Sequence, residues 1–324
     1  MADGESFGEF DLIRRYFTGH TAYHPQTVLG VGDDCAVLKP QGDSLLAVTA
    51  DTLVGGVHFF LDMDPQNLGY KSLAVNLSDL AAMGAVPAWI TLCLTLPTID
   101  HAWLEGFASG LTELALEHGV ELIGGDTTRG PMAVTVQALG QLPASGGLTR
   151  SGARVGDLVF VTGRLGSAGL GLKVLQGAWD PGDEEPVRRL LRPEARVAAG
   201  QGLLGLASAC IDVSDGLAAD LGHVLCGSGV GATLEWERLP LSDAVRHYVE
   251  QTNDWSLPLV AGEDYELCFT APEHRRAALE SALDAIGCTC TLIGHIEREE
   301  GLRLNRDGWC GPFVVRGYDH FATA

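Results

Sequence analysis

The chain has 324 residues and a formal net charge of −21, and 46% of its residues are hydrophobic. A chain of this length favours two domains over one and can bury a large core. The acidic balance disfavours a nucleic-acid partner, because binding to a duplex requires a basic surface.

Cysteine spacing and the N-terminal sequence predict a cytoplasmic protein that does not bind membranes. None of the eight cysteines forms a CxxC pair, so a zinc ribbon or a thioredoxin-like site is not supported. The first residues, MADGESFGEFDLIRR, lack the apolar segment of a signal peptide. Gly84, Pro87 and Pro97 interrupt the uncharged stretch 80–99, which predicts a buried strand instead of a membrane span.

The pattern of apolar residues in the first half of the chain predicts alternating helices and strands. Asp100 and Gly119 are typical start and stop signals of one of these helices. In the helix before it, Asp79 falls outside the leucine stripe and is expected to face a site instead of the core. The predicted helices are 6–17, 65–84 and 100–118, and the predicted strands are 27–32, 44–50, 88–96, 120–124 and 132–141.

A segment rich in Gly, Ser and Pro, residues 142–157, predicts the connection between two domains, 1–148 and 149–324. The charged stretch 180–198 is interpreted as a solvated loop that leads into a helix. In the second domain the predicted strands are 157–162, 209–213, 231–238, 265–270 and 290–297. The predicted helices there are 163–177, after a Gly-rich turn, 192–209, 215–227, 241–252 and 272–287. The fold class is therefore α/β, of the mixed α+β kind.

Acidic residues follow apolar, β-branched-rich segments at six places in the chain. Carboxylates of this kind suit hard cations that bind oxygen ligands, and such cations hold phosphates in turn. The three lysines do not follow a glycine, so a Walker A phosphate loop is excluded. The pattern indicates metal-dependent phosphoryl transfer. The residues are Asp33, Asp34, Asp51, Asp79, Asp126, Asp212, Asp215, Glu263 and Asp264.

Each of these residues also has a purely structural interpretation. In this interpretation Asp51 ends an apolar strand, and Asp126 closes a strand-ending turn. Ser214 or Asp215 is expected to cap a helix whose N–H groups can bind an anion. The corresponding interpretation of Asp79 is a polar residue on a surface face. A lone histidine such as His58 or an arginine such as Arg150 is often structural, and turn capping is the corresponding interpretation for Glu263 and Asp264.

A set of motifs in a fixed order carries a resemblance to a known family. GEFDLI, GVGDDCAVL, TADTLVGGVHF, NLSDLAAMGA, GGDTTRG, LTRSGA, IDVSDGLAADLGH, AGEDYELCF and the closing GYDHF resemble the thiamine-monophosphate kinases. That family belongs to the aminoimidazole ribonucleotide synthetase superfamily. The resemblance implies two α/β domains with this superfamily's fold. It also implies a homodimer formed by the N-terminal sheet with its flanking helices, in which the N-terminal domains join strands across the two-fold axis.

The resemblance also implies functional residues. Asp34, Thr49, Ala50, Asp51, Asp79, Asp126, Asp212 and Asp215 would bind several Mg²⁺ ions. Gly125, Asp126, Arg150 and Ser214 would bind ATP, and His58, Glu263 and Val315 would contact thiamine monophosphate. The sequence departs from the family at two of these positions. Ala50 stands where a hydroxyl residue is common, so its ligand would be a backbone carbonyl, and Val315 stands where an aromatic residue is common.

The implied reaction is direct transfer of the γ-phosphoryl group of ATP to thiamine monophosphate, the last step of thiamine diphosphate synthesis. No covalent nucleophile or general base is expected, because the acceptor phosphate is already largely deprotonated near neutral pH. Two alternatives remain open at this stage. One is another ATP-dependent enzyme of the same superfamily, and the other is a non-catalytic sensor of nucleotide or metal.

Overall fold

The computed structural model describes residues 9–31, 35–180 and 182–314. Contacts divide the chain into two compact units. Unit 1 comprises residues 1–80 and 86–145, and unit 2 comprises residues 81–85 and 146–324. The boundary between residues 145 and 146 falls within the predicted connecting segment 142–157, whereas the short segment 81–85 also groups with unit 2. None of the helices in the described ranges is both long enough and apolar enough to cross a lipid bilayer.

Unit 1 combines three helices with a four-stranded sheet and a small hairpin, counted over its described residues. The sheet has the order β3-β6-β4-β5, in which β4 and β5 are parallel and the other neighbours are antiparallel. The elements are α1 (Glu9–Tyr16), β1 (Thr27–Leu29), β2 (Val37–Leu38), β3 (Leu45–Val54), α2 (Pro65–Ala82), β4 (Val86–Leu96), α3 (His101–Glu117), β5 (Glu121–Arg129) and β6 (Ala133–Leu142).

The two faces of this sheet differ in burial within the single chain. Along β4, Leu92 and Leu94 are at most 4% exposed, whereas Cys93 between them is exposed. On β3 the exposed residues alternate in the same way, and Val48 is 56% exposed. Alternation of this kind places the buried residues on one face and leaves an open face with exposed apolar side chains.

Helices α2 and α3 approach each other closely through glycines. A Cβ atom on Gly69 would overlap the main-chain oxygen of Phe107, and one on Gly110 would overlap the main-chain oxygen of Gln66. Only a residue without a side chain permits this distance between two helix backbones. Asp100 caps α3 as predicted, because its carboxylate accepts hydrogen bonds from two N–H groups of the first turn, at 2.9 and 3.1 Å.

Unit 2 contains a seven-stranded sheet of order β13-β12-β9-β11-β7-β10-β8, in which only the pair β12–β9 is parallel. Its strands are β7 (Asp157–Thr162), β8 (Ala209–Asp212), β9 (Gly231–Glu235), β10 (Leu267–Pro272), β11 (Cys290–Glu297), β12 (Gly301–Arg306) and β13 (Trp309–Pro312). Its helices are α4 (Ser167–Leu175), α5 (Glu185–Leu191), α6 (Val197–Leu203), α7 (Leu217–Ser228), α8 (Asp243–Thr252), α9 (Leu257–Val260) and α10 (Arg276–Asp284), with two short 3₁₀ turns, Trp236–Arg238 and Glu273–Arg275.

The core of unit 2 lies between this sheet and its helices. Apolar residues of β7, β8 and β9 pack there against the apolar faces of α7 and α8, and Val159, Ile211 and Leu221 are at most 1% exposed. The mixed helices and sheets in two units confirm the predicted α/β class.

Several predicted elements differ from the structure. The predicted loop 180–198 contains helix α5, which carries Pro186 in its first turn. The predicted helix 192–209 is reduced to α6, and the predicted strand 27–32 is reduced to β1. The hairpin of β12 and β13 was not predicted. Its turn holds Asp307 and Gly308, both with positive φ, which is a strong hairpin signal in a sequence.

Candidate active site

A polar stripe on α2 faces strand β3 in unit 1. The hydroxyl of Thr49 donates a hydrogen bond to the carboxylate of Asp79. The N–H of Asp51 donates to the side-chain oxygen of Asn76 at 3.2 Å, and the Asn76 amide donates to the Ser72 carbonyl at 3.1 Å. Asn76 is fully buried. Asp79 is half-buried, and its carboxylate contacts a second predicted ligand residue.

Two predicted ligand residues lie within strands, and not at strand ends as the sequence suggested. Strand β3 continues past Asp51 to Val54, and β5 continues past Asp126 to Arg129. Since β3 and β5 are the outer strands of the sheet, three strand spacings separate these residues. At about 4.8 Å per spacing, the two backbones are roughly 14 Å apart within one chain.

Ala50 and Gly125 have backbone roles that follow from the sheet. Ala50 lies between Thr49 and Asp51, so strand alternation directs its methyl group to the opposite face and only its carbonyl can act as a ligand. Gly125 has a φ of +150°. A Cβ atom there would overlap the carbonyl oxygen of Leu92 on β4. Gly125 is therefore required because β4 and β5 approach each other closely at this position.

His58 follows strand β3 and is held in one tautomer. Its Nδ1 accepts a hydrogen bond from the N–H of Val54 at 3.0 Å. A ring nitrogen that accepts a backbone N–H carries no proton, so the proton of the neutral imidazole is assigned to Nε2. His58 can therefore donate a hydrogen bond through Nε2, which is the role that a phosphate contact requires.

In unit 2, the turn 213–216 connects β8 to α7 and carries two of the predicted residues. Asp212 is the last residue of β8 and is 3% exposed. The N–H groups of Ser214 and Asp215 both donate to one carboxylate oxygen of Asp220, each at 3.0 Å. The N-cap position of α7 belongs to Gly216, which has no side chain. The expectation that Ser214 or Asp215 caps this helix is therefore wrong.

Asp220 was not singled out from the sequence, although it lies within IDVSDGLAADL. It is 3% exposed. Burial raises the pKa of Asp220 to about 7, against the opposing effect of its two N–H donors. The nearby carboxylate of Asp215 also raises this pKa, whereas the charge of Arg150 lowers it. The charges of Arg150 and Asp215 therefore lie close enough to Asp220 to change its pKa.

The loop 261–266 pairs with this turn. The N–H of Glu263 donates to the carbonyl of Ser214, and that of Tyr265 to the carbonyl of Val213, both at 2.8 Å. Glu263 and Tyr265 have φ angles of 70° and 49°, a region that non-glycine residues rarely adopt. Strained backbone of this kind often accompanies binding sites, where the surrounding structure fixes it.

Asp264 lies between these two residues and caps helix α4. Its carboxylate accepts hydrogen bonds from the N–H groups of Gly166 at 2.6 Å and Ala168 at 3.3 Å. Burial raises the pKa of Asp264 to about 7 even though these two donors favour the charged form. Asp264 therefore has a structural role, but it caps a helix that is distant in the sequence instead of its own turn. The N–H groups of Gly166 and Ala168 at the start of α4 are consequently already engaged by the protein.

Glu266 anchors the other end of the loop through a buried ion pair. Its two carboxylate oxygens accept hydrogen bonds from Arg196, both at 2.6 Å, and one of them also accepts from the hydroxyl of Thr162 at 2.6 Å. Burial would lower the pKa of Arg196, but the hydrogen bonds and charge of Glu266 raise it above its ordinary value. The bidentate hydrogen bonds fix the point at which the loop enters β10.

The oxygen donors of unit 1 fit a hard cation in their chemistry. The hydroxyl of Thr49 and the carboxylate of Asp79 already meet, and both are ligand types that Mg²⁺ prefers. No three His, Cys, Asp or Glu side chains within ranges 9–31, 35–180 and 182–314 are arranged to hold a metal. Two residues of the predicted site, Asp34 and Val315, lie outside the described residues. The complete ligand set stays a prediction.

Comparisons with known proteins place the chain in a family. The model for the N-terminal domain of AIR synthase related proteins matches residues 32–142, and the C-terminal domain model matches residues 154–307. The thiamine-monophosphate kinase of Salmonella typhimurium is 48% identical over 98% of this chain and 99% of the relative. That of Bacillus subtilis is 33% identical over 97% of this chain and 99% of the relative.

Solved structures that resemble this chain include members of the same family as these relatives. Thiamine-monophosphate kinase from Stenotrophomonas maltophilia K279a is 44% identical, covers 88% of this chain and 92% of its own, and aligns with a TM-score of 0.82. AaThiL complexed with AMPPCP and TMP is 31% identical, covers 97% of both chains and aligns with a TM-score of 0.78. The hydrogenase maturation protein HypE of E. coli is 21% identical with a TM-score of 0.80 and shows the fold alone. The chain belongs to the thiamine-monophosphate kinase family, within the AIR synthase related proteins.

Proposed function

We propose that this chain transfers the γ-phosphoryl group of ATP to thiamine monophosphate, giving thiamine diphosphate and ADP. The observation that carries this proposal is the similarity, over 97% of both chains, to a kinase structure that holds AMPPCP and TMP. The reaction needs alignment of two anions and neutralisation of their charge more than covalent chemistry from the protein.

Unit 1 supplies oxygen ligands for Mg²⁺. Thr49 and Asp79 meet through their side chains, and Asp51 is held beside them because Asn76 binds its N–H. We assign Asp34, Ala50 through its carbonyl, and Asp126 to the same task from the resemblance. When bound, Mg²⁺ offsets the charge of the phosphates and polarises the γ-phosphoryl oxygens.

Unit 2 supplies further groups for the nucleotide. The turn 213–216 presents the hydroxyl of Ser214 and the carboxylate of Asp215, and Asp212 lies directly before it. Arg150 is exposed and carries a guanidinium that can bind a phosphate bidentately. We assign Ser214 and Arg150, with Gly125 and Asp126 of unit 1, to ATP, and Asp212 and Asp215 to Mg²⁺.

His58 and Glu263 would contact thiamine monophosphate, together with Val315. The Nε2–H of His58 is a suitable donor to the substrate phosphate, because Nδ1 is already occupied by the N–H of Val54. Glu263 carries a carboxylate, which suits the positive charge of a thiazolium ring. Its left-handed backbone and its hydrogen bond to Ser214 hold that side chain next to the turn 213–216.

A homodimer formed through the open face of the unit 1 sheet completes the proposal. Val48 on β3 pairs with Leu139 on β6, and Thr52 pairs with Thr135, so that these side chains share one face. Val48 is 56% exposed and Leu46 is 43% exposed in the single chain. Exposed apolar residues grouped on one sheet face are typical of a protein interface.

We expect the enzyme to act in the cytoplasm.

A panel of acceptors tests the proposed function. The purified protein is incubated with Mg²⁺, ATP and equal concentrations of thiamine, thiamine monophosphate or an unrelated phosphate monoester, and ADP release is measured. We expect ADP and thiamine diphosphate in equal amounts, with thiamine monophosphate alone as the acceptor. ATP binding without turnover for any acceptor would favour a sensor, and turnover with a different acceptor would favour another enzyme of the superfamily.

A further inference from the structure

A buried carboxylate in unit 2 occupies an anion-binding turn from within the protein. Asp220 lies in the first turn of α7, and a single oxygen of its side chain accepts the N–H groups of Ser214 and Asp215. Two successive N–H groups that converge on one oxygen form a concavity that binds anions. Here the anion belongs to the chain itself, so these two N–H groups are not available to a nucleotide phosphate.

The same turn is also held from its other side. The carbonyl of Ser214 accepts the N–H of Glu263 at 2.8 Å, so that both backbone polar groups of Ser214 are engaged. A Cβ atom on Gly262 would overlap that carbonyl oxygen, which shows how closely the two segments approach. The side chains of Ser214 and Asp215 are the groups of the turn that the proposed function assigns to a ligand.

We propose that Asp220 is a positioning residue for the nucleotide: it fixes the turn 213–216 so that Ser214 and Asp215 bind magnesium-ATP in one geometry. This inference rests on the proposed function, which assigns those two side chains to ATP and Mg²⁺. A carboxylate suits the task because it accepts two N–H groups in charge-assisted hydrogen bonds. An alanine at this position would leave two enclosed N–H groups without an acceptor, and the turn would rearrange to satisfy them.

Substitutions at Asp220 separate positioning from a general loss of stability. In Asp220→Ala we expect the KM for magnesium-ATP to rise about tenfold or more and kcat to fall. The KM for thiamine monophosphate should rise less, because the loop of Glu263 keeps its other anchors at Asp264 and Glu266. Asp220→Asn keeps an oxygen that can accept both N–H groups, so it should restore most of the affinity for magnesium-ATP.

Asp157 offers a matched control in the same unit. It is 4% exposed, and its carboxylate accepts the N–H of Arg154 at 3.0 Å and the hydroxyl of Ser208 at 2.6 Å. Asp157→Ala therefore also removes a buried acceptor, but it should lower the melting temperature without changing either KM. A selective rise in one KM is the result that a merely structural carboxylate would not give.

Calorimetric titration with AMPPCP and Mg²⁺ provides a readout that does not require turnover, with circular dichroism used to normalise for the folded fraction. Weaker AMPPCP binding by folded Asp220→Ala, with Asp220→Asn close to wild type, is the expected result. Wild-type AMPPCP affinity in folded Asp220→Ala, or equal changes in both KM values, would overturn the inference. If Asp220→Ala does not fold, Asp220→Ser replaces it, because its shorter side chain cannot reach both N–H groups; wild-type AMPPCP affinity in folded Asp220→Ser would overturn the inference as well. A wild-type protein that binds AMPPCP but does not phosphorylate thiamine monophosphate would refute the proposed function alone.

Discussion

Replacement of Asp264 by asparagine should change how the stability of the protein depends on pH. The Asp264 carboxyl group caps α4 and has its pKa raised from 3.8 to about 7 by burial. The two N–H groups donate to different oxygens of Asp264, so asparagine can accept from only one of them, and it does not titrate. The variant therefore removes the titration and one of the two capping hydrogen bonds. The lost hydrogen bond changes stability by the same amount at every pH, so the pH dependence is the quantity of interest.

The sign of the effect follows from the direction of the shift. A carboxyl whose folded pKa is raised binds its proton more tightly in the folded state, so its contribution to stability is fully present below pH 3.8 and is lost as the pH rises through about 7. Linkage gives a loss of about 2 kcal/mol between about pH 5.5 and pH 8. Because Asp264 keeps partial contact with solvent, we expect about 1 kcal/mol after screening.

Urea unfolding of both proteins at several pH values measures this contribution. The free energy of unfolding of wild type minus that of Asp264→Asn should decrease from pH 5.5 to pH 8. Ser242→Ala is the control, because it removes the hydroxyl that caps α8 at Val245 and introduces no titrating group; its effect should not vary with pH. A constant or increasing difference for Asp264→Asn would refute the assignment of a raised pKa.

Three further predictions follow from the fold and the site. Gly110→Ala should destabilise the protein by about 1–3 kcal/mol in thermal unfolding because the added Cβ overlaps α2, whereas Gly202→Ala, with its nearest atom 4.0 Å away, should not; equal effects would contradict the close-packing argument. Val48→Glu should convert a homodimer to monomers in light scattering, and Val155→Glu, at a residue 53% exposed in unit 2, should leave it intact. Asp51→Asn should nearly abolish turnover while circular dichroism stays unchanged; wild-type turnover would exclude a metal role.

Local sequence signals were sufficient for the long helices. The periodicity of α2 and α3 and the cap at Asp100 depend on residues close in the chain, so the bounds found are near those predicted. The turn at Asp307 and Gly308 carried an equally local signal that was overlooked. The charged stretch that contains α5 suggested a solvated loop because its apolar residues are few, although Pro186 marks the start of a helix.

The geometry of the site depends on contacts between distant residues, and sequence alone could not supply these. Asp51 was predicted to end a strand because its charge interrupts the apolar segment 44–50, but pairing with β6 extends β3 through Val54. The contact of Thr49 with Asp79 joins residues 30 positions apart. Asp220 was one acidic residue among many in the sequence, and only the fold shows that it holds the turn of Ser214 and Asp215.

Transfer of labelled phosphate tests the central claim most directly. The purified protein is incubated with Mg²⁺, thiamine monophosphate and ATP labelled at the γ-phosphoryl group, and the thiamine products are separated by chromatography. We predict that the label appears in the terminal phosphate of thiamine diphosphate, with one ADP formed for each product molecule. Label that appears only as inorganic phosphate, or thiamine diphosphate that forms without label, would contradict direct transfer.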